Sequence, residues 1–116
     1  MNHDALADQV EQDDTQWQRT RAAREAAGLP ALVRLFEVAQ THGGQAATVR
    51  RFLLGLYNGD AWPMNLNDLR GLDPSIQADV LAVLAMDMSP RREIHHYVAG
   101  AEALLRTWGQ RRTKKR

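Results

Sequence analysis

Large apolar residues in this chain recur three and four positions apart, and no segment alternates apolar with polar in the way a half-buried strand requires. That periodicity restricts the fold to helices packed through apolar stripes. The stretch from Arg50 to Pro63 carries the pattern most plainly. At about 100° per residue, Val49, Phe52, Leu53, Leu56 and Tyr57 share one arc. Arg51 points away from it, Arg50 borders it and Leu54 falls outside it. Asn58-Gly59 forms a stop, because both residues tolerate left-handed backbone, and a loop carrying Trp62 follows.

The same reading divides the chain into elements. A helix is expected from about Thr15 to Ala27, with Gly28 as its C-cap and Pro30 in the first turn of the next. That second helix runs to about Thr41, with Leu32, Leu35, Phe36 and Ala39 inward and Gly43-Gly44 as its end. The third spans about Gln45 to Asn58. Residues 60–73 form a connector with a short helical turn at Leu66–Leu72, capped by Asn65 or Asn67. Asp73-Pro74 opens a fourth helix, in which Ile76, Val80, Val83 and Leu84 face one way. Leu81 and Met86 widen its apolar band, so this helix is expected to be the most buried. Ser89-Pro90 repeats the start signal for a last helix ending near Trp108. Its stripe is Ile94, Tyr97, Val98, Ala101, Leu105 and Trp108. Glu102 and Arg106 form a favourable i,i+4 pair on it, and Gly100 in mid-helix implies a close helix approach.

The expected architecture is all-α: a compact bundle of about five helices forming a single domain over residues 15–108. Residues 1–14 are either a solvated tail or the first turns of a long helix, and a frayed start is the reading adopted. Residues 109–116 are expected to be a basic, disordered C-terminal tail. A length of 116 residues supports one domain. The net charge of +1 conceals an asymmetry. Asp4, Asp8, Glu11, Asp13 and Asp14 stand at one end with no base, and Arg111, Arg112, Lys114, Lys115 and Arg116 stand at the other with no acid. The start lacks the basic and apolar regions of a secretory signal. The longest apolar run, Val80 to Met86, is too short to span a bilayer. A cytoplasmic protein without membrane attachment is expected.

The inventory for catalysis is thin. With no cysteine, disulfides, thiolate zinc sites and cysteine nucleophiles are excluded. Serine occurs only at Ser75 and Ser89, both in proline-containing helix starts, where backbone capping explains it better than attack on a substrate. Gly43-Gly44 lacks the lysine and spacing of a phosphate loop. Asp60, Asp68 and Asp73 read as turn and cap residues. Glu93 and His96 make one E-x-x-H, where di-iron bundles use two. His95 and His96 are neighbours expected to point about 100° apart, unsuited to joint chelation. The expectation is no enzyme, no cofactor and no metal.

The runs Leu32-Val33-Arg34-Leu35-Phe36-Glu37-Val38-Ala39-Gln40, Arg51-Phe52-Leu53-Leu54-Gly55-Leu56-Tyr57-Asn58-Gly59 and Asp68-Leu69-Arg70-Gly71-Leu72-Asp73 resemble an uncharacterised small helical domain family, a domain of unknown function, over about residues 29–108. That family is found on proteobacterial plasmids, integrative elements and chromosomes. The resemblance brings no catalytic residue. It implies an accessory role: stabilisation, transfer, or inhibition of a host defence in the manner of an anti-CRISPR protein.

Two functional expectations follow. The first is a non-enzymatic protein-interaction module binding its partner through Arg50, Arg51, Leu54 and Trp62, since tryptophan and arginine concentrate at the energetic centres of interfaces. The second is a DNA- or RNA-associated accessory protein. In it the second and third helices act as a helix-turn-helix that presents Gln45, Thr48 and Arg51, while Arg111, Arg112, Lys114, Lys115 and Arg116 neutralise phosphates. Monomer and homodimer are both compatible with the apolar content.

Overall fold

The computed structural model describes residues 3–114, with side chains from Ala5 to Arg112. It is an all-α single domain. Helix α1 spans His3–Ala39, α2 Gly44–Tyr57, α3 Pro74–Asp87, α4 Ile94–Tyr97 and α5 Ala101–Lys114. A 3-10 turn over Leu66–Gly71 lies between α2 and α3, and no strand occurs among the described residues. Basic residues 115 and 116, and the side chain of Lys114, lie outside the described part.

The core gathers Leu32, Leu35 and Phe36 from α1, Val49, Phe52, Leu53 and Leu54 from α2, Val80, Val83 and Met86 from α3, and Ile94, Leu105 and Trp108 from α4 and α5. These are the residues that helical spacing turns inward. Leu54 and Met86 are exceptions, each outside its expected arc. Phe36 and Trp108 stack with centroids 6.1 Å apart, joining the first helix to the last. The most buried helix is α2, with six buried residues against three in α3. Leu81 of α3 stays 66% exposed, so the band expected to make α3 the innermost helix is only half used.

The largest departure from expectation is that the two N-terminal helices are one. Gly28 is not a C-cap and Pro30 does not begin a helix; both lie inside the 37-residue α1. Both sides of this Gly-Leu-Pro segment pack on the same partner, α3 and its C-terminal turn. Arg21 Nε donates to the Ser89 carbonyl at 3.2 Å, Arg24 Nη1 to Ser89 Oγ at 3.3 Å, and Glu25 pairs with Arg91 at 3.5 Å. Further along, Arg34 makes a bidentate pair with Asp79 at 2.9 and 3.0 Å. Pro30 lacks the donor that would reach the carbonyl of Ala26, but both residues lie on the exposed side of α1. Tertiary packing therefore overrides two local stop signals.

The residues read as a frayed start are the first turns of α1 from His3 onward. Residues 5–19 are all exposed. The molecule is 65 Å long and 27 Å in each other direction, because this half of α1 projects beyond the bundle as an arm. Leu6, Val10 and Trp17 form its apolar stripe, 47–58% exposed. Trp17 is partly covered by the Arg24 guanidinium, 5.8 Å from its ring centroid.

The last helix is also divided differently. Residues 98–100 separate α4 from α5, and Gly100 turns the chain there with φ of +79°, with nothing near the position a Cβ would take. Gly100 therefore marks a helix break that a left-handed residue permits, not a close helix approach. Asn58-Gly59 ends α2 without left-handed geometry, Asn58 lying at φ −156°. Asn58 Oδ1 accepts from the Ala61 N–H at 3.2 Å. The connector turn is capped as expected, with Asn65 accepting from the Asn67 N–H at 3.0 Å.

Candidate functional site: an arginine-lined cleft

Between α2 and α5 lies a cleft of about 220 Å³, lined by Ala47, Arg50, Arg51, Leu54, Trp108, Arg111 and Arg112. Its position follows from the helical registers. Ala47, Arg50, Arg51 and Leu54 are one turn apart on α2. Trp108, Arg111 and Arg112 are one turn apart on α5, which continues past the expected end at Trp108. The residues expected to form a solvated tail thus bring two arginines back beside Arg50 and Arg51. The available signal was the i+3 and i+4 spacing of Arg111 and Arg112 from Trp108, which extends the helix rather than ending it.

The four arginines are not equivalent. Arg50 Nη1 donates to the carbonyls of Ala39 at 2.8 Å and Thr41 at 3.2 Å, closing the C-terminal end of α1, where cations are favoured. Arg51 donates to Thr48 Oγ1 at 3.1 Å and faces Asp68 at 3.5 Å. Arg111 and Arg112 are exposed at the rim. Leu54, outside the apolar arc of its own helix, is fully buried; it lines the floor of the cleft with Trp108. The lining holds four guanidiniums and no carboxylate, histidine or hydroxyl. Such a set can grip a carboxylate or a phosphate bidentately, and it offers no side chain to move a proton near neutral pH.

Trp62 does not join this cleft. It stacks on Tyr57 at 6.3 Å and lies against Gly109 of α5, so tightly that a side chain at Gly109 would meet the indole. It lines a separate, mostly apolar groove of about 260 Å³ with Phe52, Gly55, Leu56, Met64, Leu66 and Leu84. The patch expected from Arg50, Arg51, Leu54 and Trp62 is therefore two sites on different faces of α2.

The residues of the helix-turn-helix reading are engaged internally. Gln45 Nε2 donates to Asp73 Oδ2 at 3.1 Å, and Gln45 Oε1 accepts from the Asp73 N–H at 2.6 Å, tying α2 to the start of α3. Thr48 is 8% exposed and donates to the Gly44 carbonyl at 3.1 Å. Gln45 and Thr48 thus do not stand clear for a base edge, whereas Arg51, in contact with Thr48 and Asp68, also lines the cleft.

A second group of polar side chains converges at the junction of α4 and α5. One ring nitrogen each of His95 and His96 and a carboxylate oxygen of Glu102 lie within 4.8 Å of one another. The His95 and His96 rings are 4.0 Å apart, tilted by 53°, so the divergence expected of adjacent residues does not occur. The Gly100 bend returns the first turn of α5 toward α4, which brings Glu102 to the two rings. Glu102 also holds Arg106 at 2.7 Å, the expected i,i+4 pair.

No curated protein and no solved structure matches the chain. A family model, described as a family of unknown function, matches residues 29–112. The matched span begins inside α1 beside Pro30 and contains every residue of the arginine cleft. The arm lies before it. The chain belongs to this family of unknown function, DUF7673.

Proposed function

We propose that the protein is a non-enzymatic interaction module that seats an acidic segment of a protein partner in the Arg50–Arg51–Arg111–Arg112 cleft. The supporting observation is the construction of the cleft: an apolar floor of Leu54 and Trp108 under a rim of arginines. That combination suits an apolar side chain flanked by carboxylates, the arrangement found at interface hot spots. Four arginines line this cleft, while Asp8, Glu11, Asp13 and Asp14 occupy the arm. A nucleic-acid surface calls for an extended basic stripe, and an acidic arm would repel the duplex beyond the contact. Inhibition of a host defence, or any mobile-element setting, enters this reading only through the sequence resemblance. The cleft supports the narrower statement of a docking protein.

The test is co-purification of the full chain with proteins of its host, compared with an Arg111→Glu/Arg112→Glu variant. These two arginines are chosen because they are exposed, whereas Arg50 closes a helix end. A stoichiometric protein partner, lost on charge reversal and weakened by salt, is the expected result. Retention of the partner by the variant overturns the cleft as the docking site.

The alternative reading, binding to a nucleic-acid backbone, is favoured by the same convergence of four arginines on one face. It predicts recovery of nucleic acid in place of protein, with a salt dependence that flattens when Arg111 and Arg112 are removed.

A further inference from the structure

We propose that His95, His96 and Glu102 form a binding site for one divalent cation of borderline softness, with Zn²⁺ the ion their donor set fits best. Two imidazole nitrogens and one carboxylate oxygen are a known zinc ligand set, and imidazole selects against Mg²⁺ and Ca²⁺. The donor atoms lie within 4.8 Å of one another. Around a tetrahedral ion bonded at about 2.0–2.1 Å, ligand atoms stand roughly 3.3 Å apart. The exposed His96 ring and the half-exposed Glu102 carboxylate close that difference by side-chain rotation alone.

An independent observation supports the site. Nδ1 of His95 is buried and has no hydrogen-bond partner among the described residues, an uncommon condition for a buried ring nitrogen. The ring cannot easily turn away to find one. It meets Tyr57 edge to face at 5.0 Å and lies tilted against His96 at 4.0 Å. Tyr57 is itself stacked on Trp62. His95 is thus a preorganised ligand, and His96 and Glu102 are the adjustable ones.

The charge environment is compatible. Arg106 engages Oε1 of Glu102, which leaves the second carboxylate oxygen for an ion. Three protein ligands leave one tetrahedral position open, which water or a donor from a partner fills. Bound there, the ion clips α4 to the first turn of α5 across the Gly100 bend. This site lies apart from the arginine cleft, with no lining residue in common, and does not depend on the docking role.

The experiment is calorimetric titration of the chelator-treated full chain with zinc chloride, alongside His96→Ala, Glu102→Gln and His42→Ala. One ion per chain is expected. His96→Ala and Glu102→Gln each weaken binding by about tenfold or more, and His42→Ala leaves it unchanged. Ring nitrogen signals of His95 and His96 in NMR spectra shift on saturation. His95 is left unmutated because its packing on Tyr57 makes folding of the variant uncertain, whereas His96 is exposed. Absence of binding up to about one millimolar zinc, undiminished binding by His96→Ala, or one ion per two chains would each overturn the proposal.

Discussion

Gly28 of α1 and Met86 of α3 meet so closely that a Cβ on Gly28 would lie 2.6 Å from the Met86 Cβ and 3.0 Å from the Ala82 carbonyl oxygen. The glycine is a packing residue, and its lack of a side chain sets the distance between the two helices. On helix propensity alone, Gly28→Ala would stabilise a helix interior by about 1 kcal/mol. The contact reverses that sign. Met86 Sδ, 2.9 Å away, can turn aside, but the Met86 Cβ and the Ala82 carbonyl oxygen cannot, so α1 and α3 must separate. A net loss of about 1–3 kcal/mol is expected in urea unfolding. A gain in stability would show that the helices do not touch here.

Pro30 presents the opposite case. It lies in the interior of α1, where it removes a hydrogen bond and crowds the preceding turn. It is exposed, so no packing depends on its ring. Pro30→Ala should stabilise the protein by about 1–3 kcal/mol, part of the roughly 3 kcal/mol interior penalty being offset by the stiffer unfolded chain of the wild type. A destabilised variant would mean that the proline sets a bend the α1–α3 contact requires.

The arm should be the least stable part of the molecule. Residues 5–19 bury nothing in the bundle, and an isolated helix of that length is marginal in water. Amide exchange between residues 7 and 16 should proceed with opening free energies near zero. Deleting residues 1–16 should leave the unfolding temperature of the bundle almost unchanged. Strong protection of those amides at concentrations where exchange in the bundle is unchanged would instead mean that the Leu6–Val10–Trp17 stripe is covered.

Removing individual arginines should separate structure from binding. Arg50→Gln gives up charge-assisted bonds to two carbonyls at the end of α1 and is expected to lose about 1–2 kcal/mol. Arg112→Gln, at the exposed rim, should stay within about 0.5 kcal/mol of wild type. Paired thermal melts of the two variants check the contrast.

Asp87 supplies a pH test. Burial, with a smaller contribution from the nearby Glu93 carboxylate, raises its pKa above the ordinary 3.8. The folded state therefore holds this proton more tightly than the unfolded chain does. Its contribution to stability falls as pH rises from the ordinary value through the raised one, and above that the penalty is fully present. Asp87→Asn should stabilise the protein at pH 7, with the advantage shrinking toward pH 4 and vanishing below it. An advantage independent of pH would point to packing in place of charge.

Much of the site was written in local spacing without being joined there. Helical periodicity places Arg50 and Arg51 together, and Arg111 and Arg112 together, but nothing in either segment states that the two pairs share a cleft. That depends on how α5 lies across α2. Leu54 shows the same limit: outside the apolar arc of its own helix, it is fully buried because α5 covers a second face of α2. Trp62 went the other way, taken from the proposed patch by stacking on Tyr57 and contact with Gly109. Glu102 comes to the His95–His96 pair across a left-handed bend at Gly100 that an uninterrupted helix would not contain.

By itself the sequence determined the helical class, the inward stripes of α2 and α5, the Asn65-capped turn and the start of α3 at Pro74. These rest on spacing, on the Asn65 side-chain cap and on a proline in the first turn of α3, where local energies suffice. Only the tertiary structure decided that α1 runs unbroken through Gly28 and Pro30. Local preferences there amount to a few kcal/mol at most, and contacts to α3 on both sides of the segment outweigh them. The same level of structure decided which arginines gather and that Glu102 reaches the two histidines, because both depend on how separate helices approach.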